Sequence, residues 1–178
     1  MSAARGVTVG DRLQMDAMTG DEVTAFIAYE HQAYARQRVT YEGEDPRDAE
    51  EAAAKSTTAF FPDGAPAEGH SLFIGREVET GERAGVLWLF ERKTASGTSV
   101  FIYDVEVEQD RRAKGWGREL MAYAEQWAGQ RGAFEIALNV FGGNTVARGL
   151  YSSLGYSERS VAMAKPLKTR MPLKSGTP

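Results

Sequence analysis

At 178 residues, 42% apolar and 26% charged, the chain is sized for one globular domain with a full core and not for two. A net charge of -4 argues against a nucleic-acid partner, and no apolar run reaches the roughly 18 residues that span a bilayer. The opening MSAARGVTVGD lacks the apolar centre of a signal peptide, and the absence of cysteine excludes a disulfide framework, a thiolate nucleophile and a Cys-based zinc site. A cytoplasmic setting is the plain expectation.

Residues 1–10 carry no pattern and read as a loose arm, and residues 12–15 read as a short first strand. Thr19 with Glu22 three residues later has the spacing of a capping box. A helix should follow, with Val23, Phe26, Ile27, Tyr34 and His31 on its apolar side, ending before 40–43. Asp45-Pro46 is an N-cap followed by proline at the first helical position, opening a second helix that runs to about Ala59.

From His70 the period changes from 3.6 to 2. Strands beginning at Leu72, over 84–90 and over 99–107, joined by turns at 80–82 and 94–97, make an antiparallel meander. Trp116, Leu120, Ala124, Trp127 and Ala128 then fall at helical spacing, with Gly132 placed for a left-handed C-cap. A strand over 134–140, a helix over 144–154 closed by Gly155 and a last strand over 161–167 complete the pattern. Residues 168–178 form a basic tail, which could trade across a homodimer. The expected fold is a single α/β (α+β) domain over 11–167, in the order β-α-α-β-β-β-α-β-α-β, with a mixed, mostly antiparallel central sheet flanked by helices.

The chemistry concentrates where the third meander strand runs into the next helix, in VFIYDVEVEQDRRAKGWG over 100–117. Two glycines at a strand-to-helix turn allow positive φ or close approach of a ligand. The helix start beyond them offers unpaired N–H donors and a positive dipole end to a phosphate. Arg111, Arg112 and Lys114 add charge. A dinucleotide fingerprint would need glycine where Leu120 stands, and a P-loop would need Ser or Thr where Gly115 stands.

Arg112-Ala113-Lys114-Gly115-Trp116-Gly117 matches the Gln/Arg-x-x-Gly-x-Gly/Ala signature of the GNAT acyltransferase superfamily. Val105-Glu106-Val107 stands where that family has Leu-x-Val. Asn144-x-x-Ala147-x-x-Leu150-Tyr151-x-x-x-Gly155-Tyr156 resembles its second signature. The resemblance implies a GNAT-like fold and an N-acetyltransferase that uses acetyl-CoA as co-substrate and needs no metal. It implies that the amides of Arg112, Ala113, Lys114, Gly115, Trp116 and Gly117 hold the pyrophosphate. The backbone of Val105 and Val107 would pair with the pantetheine arm, and an amide there would polarise the thioester carbonyl. Asn144 would contact the cofactor arm, and Tyr151 would protonate the departing thiolate. On residues alone Asn144 could equally be an N-cap, and Tyr151 a packed core tyrosine.

Transfer to an amine needs a proton acceptor. The later-strand glutamate of some family members is replaced here by Asn139. Asp104 and Glu106, expected on one strand face with Tyr103 on the other, are the next candidates, followed by His70 and His31. With no cysteine and no Gly-x-Ser-x-Gly elbow, direct attack in a ternary complex is expected. The acceptor would be an amine, on a small molecule or a protein, gripped by the first two helices. The acids of 42–51 could attract a polyamine, an aminoglycoside or a lysine, or be a solvated helix start. A non-catalytic acyl-CoA sensor, or a transferase of a longer acyl group, is the alternative.

Overall fold

The computed structural model describes residues 7–165. Two short strands, β1 (Val7–Val9) and β2 (Leu13–Ala17), lead into α1 (Gly20–Gln37) and α2 (Pro46–Phe60). The meander follows as β3 (His70–Glu77), β4 (Arg83–Thr94) and β5 (Gly97–Val107), then α3 (Trp116–Gln130), β6 (Ala133–Leu138) and α4 (Thr145–Ser153). The six strands lie in one sheet in chain order, β1-β2-β3-β4-β5-β6. Every pairing is antiparallel except β5 with β6, which α3 joins as a parallel crossover.

The local signals act as read. Thr19 and Glu22 close a reciprocal capping box at the start of α1. Asp45 caps α2 by accepting from the Arg47 N–H at 2.9 Å, with Pro46 just inside the helix. Gly132 takes φ 64 after α3. The end of α1 differs: the helix widens into one π turn, Arg38–Glu42, before Gly43 at φ 65 stops it. Arg38 ties that turn together, bonding Glu44 at 2.5 Å and the Tyr34 hydroxyl at 2.9 Å.

Helices cover both faces of the sheet, so β4 is buried continuously from Ala84 to Leu89 and does not alternate. On one face Leu87, Leu89, Val100 and Ile102 pack against Trp116, Leu120, Met121, Ala124 and Trp127 of α3. On the other, Val86, Trp88 and Leu72 meet Val23 and Phe26 of α1 and Phe61 beyond α2. β4 and β5 approach closely at Gly85, where a Cβ would press inside 3.0 Å of the Glu106 carbonyl oxygen.

Two sequence expectations fail at the ends of the chain. Residues 7–9, assigned to the loose arm, form β1 by pairing with β2. The final strand expected over 161–167 is absent from 161–165, and its last two residues lie outside the described region. No strand among the described residues pairs with the far edge of β6, and Val161 and Met163 stay exposed, so alternation there had no ladder to join.

Candidate functional site

The site grows from a mismatch in strand length. The last rung joining β5 to β6 is Ile102 opposite Leu138, whereas β5 continues to Val107 and stays paired to β4 as far as Gly85 opposite Val107. Residues 103–107 therefore have one edge without a strand. The Glu108 N–H donates to Ala84 on β4 at 3.0 Å, and backbone groups alternate in direction along a strand. The N–H and C=O groups of Val105 and Val107 consequently point into the opening, while their side chains pack toward α3.

At one end of the opening lies the loop into α3. Ala113 at φ 59 and Gly115 at φ 91 both take left-handed backbone, which turns successive N–H groups to one side. Among the described residues nothing accepts from the N–H groups of residues 112–117. The two glycines differ in purpose. Gly115 supplies the positive φ, whereas a Cβ on Gly117 would lie 3.1 Å from Leu150 Cδ2 and 3.6 Å from Val107 Cγ2, so Gly117 lets α4 lie close on the start of α3. Trp116 is 1% exposed, its ring packed in the core under the sheet-facing side of α3.

The basic side chains are less free than their positions suggested. Arg111 is held by Glu77 at 2.6 Å and by Glu82, which pins the loop to the β3–β4 turn. Lys114 Nζ donates to the Asp110 carbonyl at 2.9 Å, and Arg112 bonds the Val107 carbonyl at 3.1 Å and Glu106 at 3.2 Å. Arg118, which the sequence reading passed over, donates to Ser153 Oγ on α4 at 2.7 Å.

α4 borders the other side. Asn144 caps it by accepting from the Ala147 N–H at 3.2 Å. Tyr151 is half-buried, and no side chain among the described residues bonds its hydroxyl. Burial, then the nearby Asp104 carboxylate, push its pKa up to about 12, so it keeps its proton at neutral pH. Tyr41, on the π turn, stacks on Phe141 at 5.1 Å and joins the α1–α2 connection to the loop before α4.

A β-bulge corrects the expected facing of Tyr103. Trp88 pairs with Asp104 but Leu89 pairs with Ile102, so Tyr103 is the extra residue. Tyr103 stacks on Trp88 at 4.8 Å and meets Phe60 at 4.8 Å, placing it on the α1–α2 face together with Asp104 and Glu106. The carboxyls there come close to Glu30 of α1. Burial, then mutual repulsion with neighbouring carboxylates, raise the pKa of both Glu30 and Asp104. Asp104 Oδ2 is buried without a hydrogen-bond partner. Glu106 accepts from the Tyr29 hydroxyl at 2.8 Å.

The remaining base candidates sit apart from this cluster. His70 Nδ1 accepts from the Trp88 indole at 2.9 Å, and burial lowers its pKa, so it is a neutral member of the aromatic cluster. His31 bridges Glu50 at 2.7 Å and Thr57 at 3.3 Å, tying α1 to α2. Asn139 lies exposed just past β6. Glu30 was missed by the site reading. The signal for Glu30 was available: it falls seven residues after Val23 and four after Phe26, a carboxylate on an apolar stripe. Among the described residues no three His, Asp or Glu side chains are grouped to hold a metal, and no helix is long and apolar enough to cross a membrane.

Residues 22–156 match the family model described as the acetyltransferase (GNAT) family. YycN of Bacillus subtilis, an uncharacterized N-acetyltransferase, is 27% identical over 155 residues, covering 87% of this chain and 99% of that protein. YdgE of the same organism, also an uncharacterized N-acetyltransferase, is 29% identical over 153 residues, covering 86% and 97%. The crystal structure of YycN superposes with a TM-score of 0.80 at 28% identity, covering 88% of this chain and 99% of that one.

Proposed function

The chain belongs to the acetyltransferase (GNAT) family, and on that footing we propose that it moves an acetyl group from acetyl-CoA to a primary amine by direct attack in one ternary complex. One observation carries the reading: β5 runs past the end of β6, leaving residues 103–107 with an open edge that leads to a row of unpaired amides. The residues present fit the co-substrate. The amides of 112–117, at the positive end of α3, suit a pyrophosphate. The outward N–H and C=O groups of Val105 and Val107 suit an amide-bearing arm laid alongside as a strand.

When bound, acetyl-CoA supplies its acetyl group as a thioester. An amine reaches the site as an ammonium and must lose a proton before it can attack. Glu106, or Asp104 in its ionised form, takes that proton. As the new N–C bond forms the C–S bond breaks, and the Val105 N–H donates toward the oxygen on which charge develops. Tyr151 gives its hydroxyl proton to the departing sulfur, and the second amine proton leaves through the carboxylates. Arg112 must release the Val107 carbonyl for the arm to pair there. The proposed setting is the cytoplasm.

Differential scanning fluorimetry tests the donor. Acetyl-CoA at 100 times its Kd adds about 2.7 kcal/mol, or roughly 5–10 °C for a domain of this size, while NAD adds nothing. No shift with any acyl-CoA, acetyl or longer, would sink the proposal. Thiol release across an amine panel then tests transfer, and coenzyme binding without release from any amine would mark a sensor instead.

A further inference from the structure

Between α1, α2 and the sheet lies a cavity of about 170 Å³. Five of its lining residues are aromatic, Tyr34, Phe60, Phe61, Trp88 and Tyr103, and Glu30 and His31 are its acidic and imidazole members. The rings support one another. Trp88 and Tyr103 stack with an interplanar angle of 22°, and Phe60 stands edge-on to both, at 5.4 Å and 4.8 Å. Tyr103 reaches the cavity because the bulge turns it to this face. Of the acid and the imidazole, His31 is satisfied by Glu50 and Thr57. Glu30 is not: among the described residues no cation or hydrogen-bond donor pairs with its carboxyl. The neighbouring Asp104 Oδ2 is buried and equally unpartnered.

A carboxyl left this way beside an aromatic box either keeps its proton or is held ionised by something cationic. We infer, resting on the acyl-transfer reading above, that the acceptor is a compact primary amine with a single cationic head and an aromatic or apolar body. The body fills the cavity between Phe60, Trp88 and Tyr103, and the ammonium lies against Glu30 on the side of Asp104. Size agrees, since an engineered apolar cavity of about 150 Å³ accepts one benzene ring. A polyamine or aminoglycoside would bring further charges among these rings, where Glu30 is the one acid in the lining. The acids of 42–51 do not reverse this preference. Glu42 and Glu44 are drawn to Arg38, and Glu50 to His31.

Thiol release from acetyl-CoA with 2-phenylethylamine, methylamine, spermidine and a lysine peptide tests the inference. The expected kcat/KM for 2-phenylethylamine exceeds those for spermidine and the peptide at least tenfold. Glu30→Gln should raise its KM tenfold or more while kcat falls less. Ala53→Leu, which grows a cavity-lining residue, should move the ratio of kcat/KM tenfold from 2-phenylethylamine toward methylamine. The acetyl-CoA thermal shift is read in parallel on each variant. Preference for spermidine or the peptide, or an unchanged KM in Glu30→Gln, overturns the inference and leaves the acyl-transfer reading standing. Loss of any acyl-CoA shift in the parent protein overturns that reading instead. In that case, or if no amine is acetylated, millimolar 2-phenylethylamine alone decides: a thermal shift in the parent that Glu30→Gln loses supports the cavity assignment, and no shift refutes it.

Discussion

Gly85→Ala isolates the contact that fixes β5 against β4 behind the open edge. The added Cβ would enter within 3.0 Å of the Glu106 carbonyl oxygen, and Leu120 Cδ1 would lie 2.9 Å away. The leucine can turn aside, but a backbone oxygen inside a paired ladder cannot. The strands must therefore separate by several tenths of an ångström where Glu106 and Val107 face the site. Overpacking a core costs about 1–3 kcal/mol, and the rigid partner puts this change near 3 kcal/mol. For a domain of this length that is roughly 6–12 °C in thermal midpoint. Two other glycines calibrate the measurement. Gly75→Ala meets Leu13, Leu120 and Met15 at 2.9–3.1 Å, all at flexible side-chain ends, and should cost about 1 kcal/mol. Gly129→Ala, in α3 with nothing within 4 Å, should gain about 0.5–1 kcal/mol. Urea and thermal unfolding of the three variants provide the test. If Gly85→Ala is as stable as Gly75→Ala, the register between β4 and β5 is wrong, and with it the direction assigned to the Val105 and Val107 backbone.

Asp104 and Glu30 hold protons more tightly in the folded chain than in the unfolded one, so their contribution is intact below the ordinary carboxylate range and is lost as pH rises through neutrality. Asp104→Asn should flatten the urea midpoint between pH 5.5 and pH 8 and raise it at pH 8; a steeper loss than in the parent would refute the assignment. Tyr151→Phe should keep the acetyl-CoA thermal shift and lose about 100-fold in kcat, and full activity in that variant would remove Tyr151 from the chemistry. Arg111→Ala should lower the thermal midpoint and weaken the acetyl-CoA shift, because Arg111 anchors the amide-bearing loop through Glu77 and Glu82; binding unchanged by calorimetry would show that the loop holds its shape unaided.

Most of the fold was legible because its signals are local. The Thr19–Glu22 box, Asp45-Pro46 and Gly132 each act within a few residues, and the change of period at His70 marks the meander. What escaped depends on which segments pair, near or far in sequence. β1 exists through its ladder with β2, and residues 161–165 form no strand because alternation without a neighbour stabilises nothing. The site divides in the same way. Gly115 reads correctly as a positive-φ position, but Gly117 answers to Leu150, thirty-three residues away. Arg111 counted as free charge until Glu77 and Glu82 claimed it. The bulge at Tyr103 exchanged the facing of one residue, and no composition rule would have placed it. Glu30 shows the reverse: its helical phase announced an acid on a buried stripe, although only the fold shows which acids it meets.

The strand order also bears on how the molecule is made. Because spatial order follows chain order, every antiparallel pairing joins consecutive strands, and the meander closes over short turns with little loss of chain entropy. The parallel contact of β5 with β6 is different, since it must wait for α3 to form and dock. The opening beside Val105 and Val107 thus lies at the seam between an early-forming unit and a late one. A ligand held there can reward only the finished molecule. Acetyl-CoA should slow unfolding and leave the folding rate of the chain almost untouched, which stopped-flow refolding with and without the ligand would reveal.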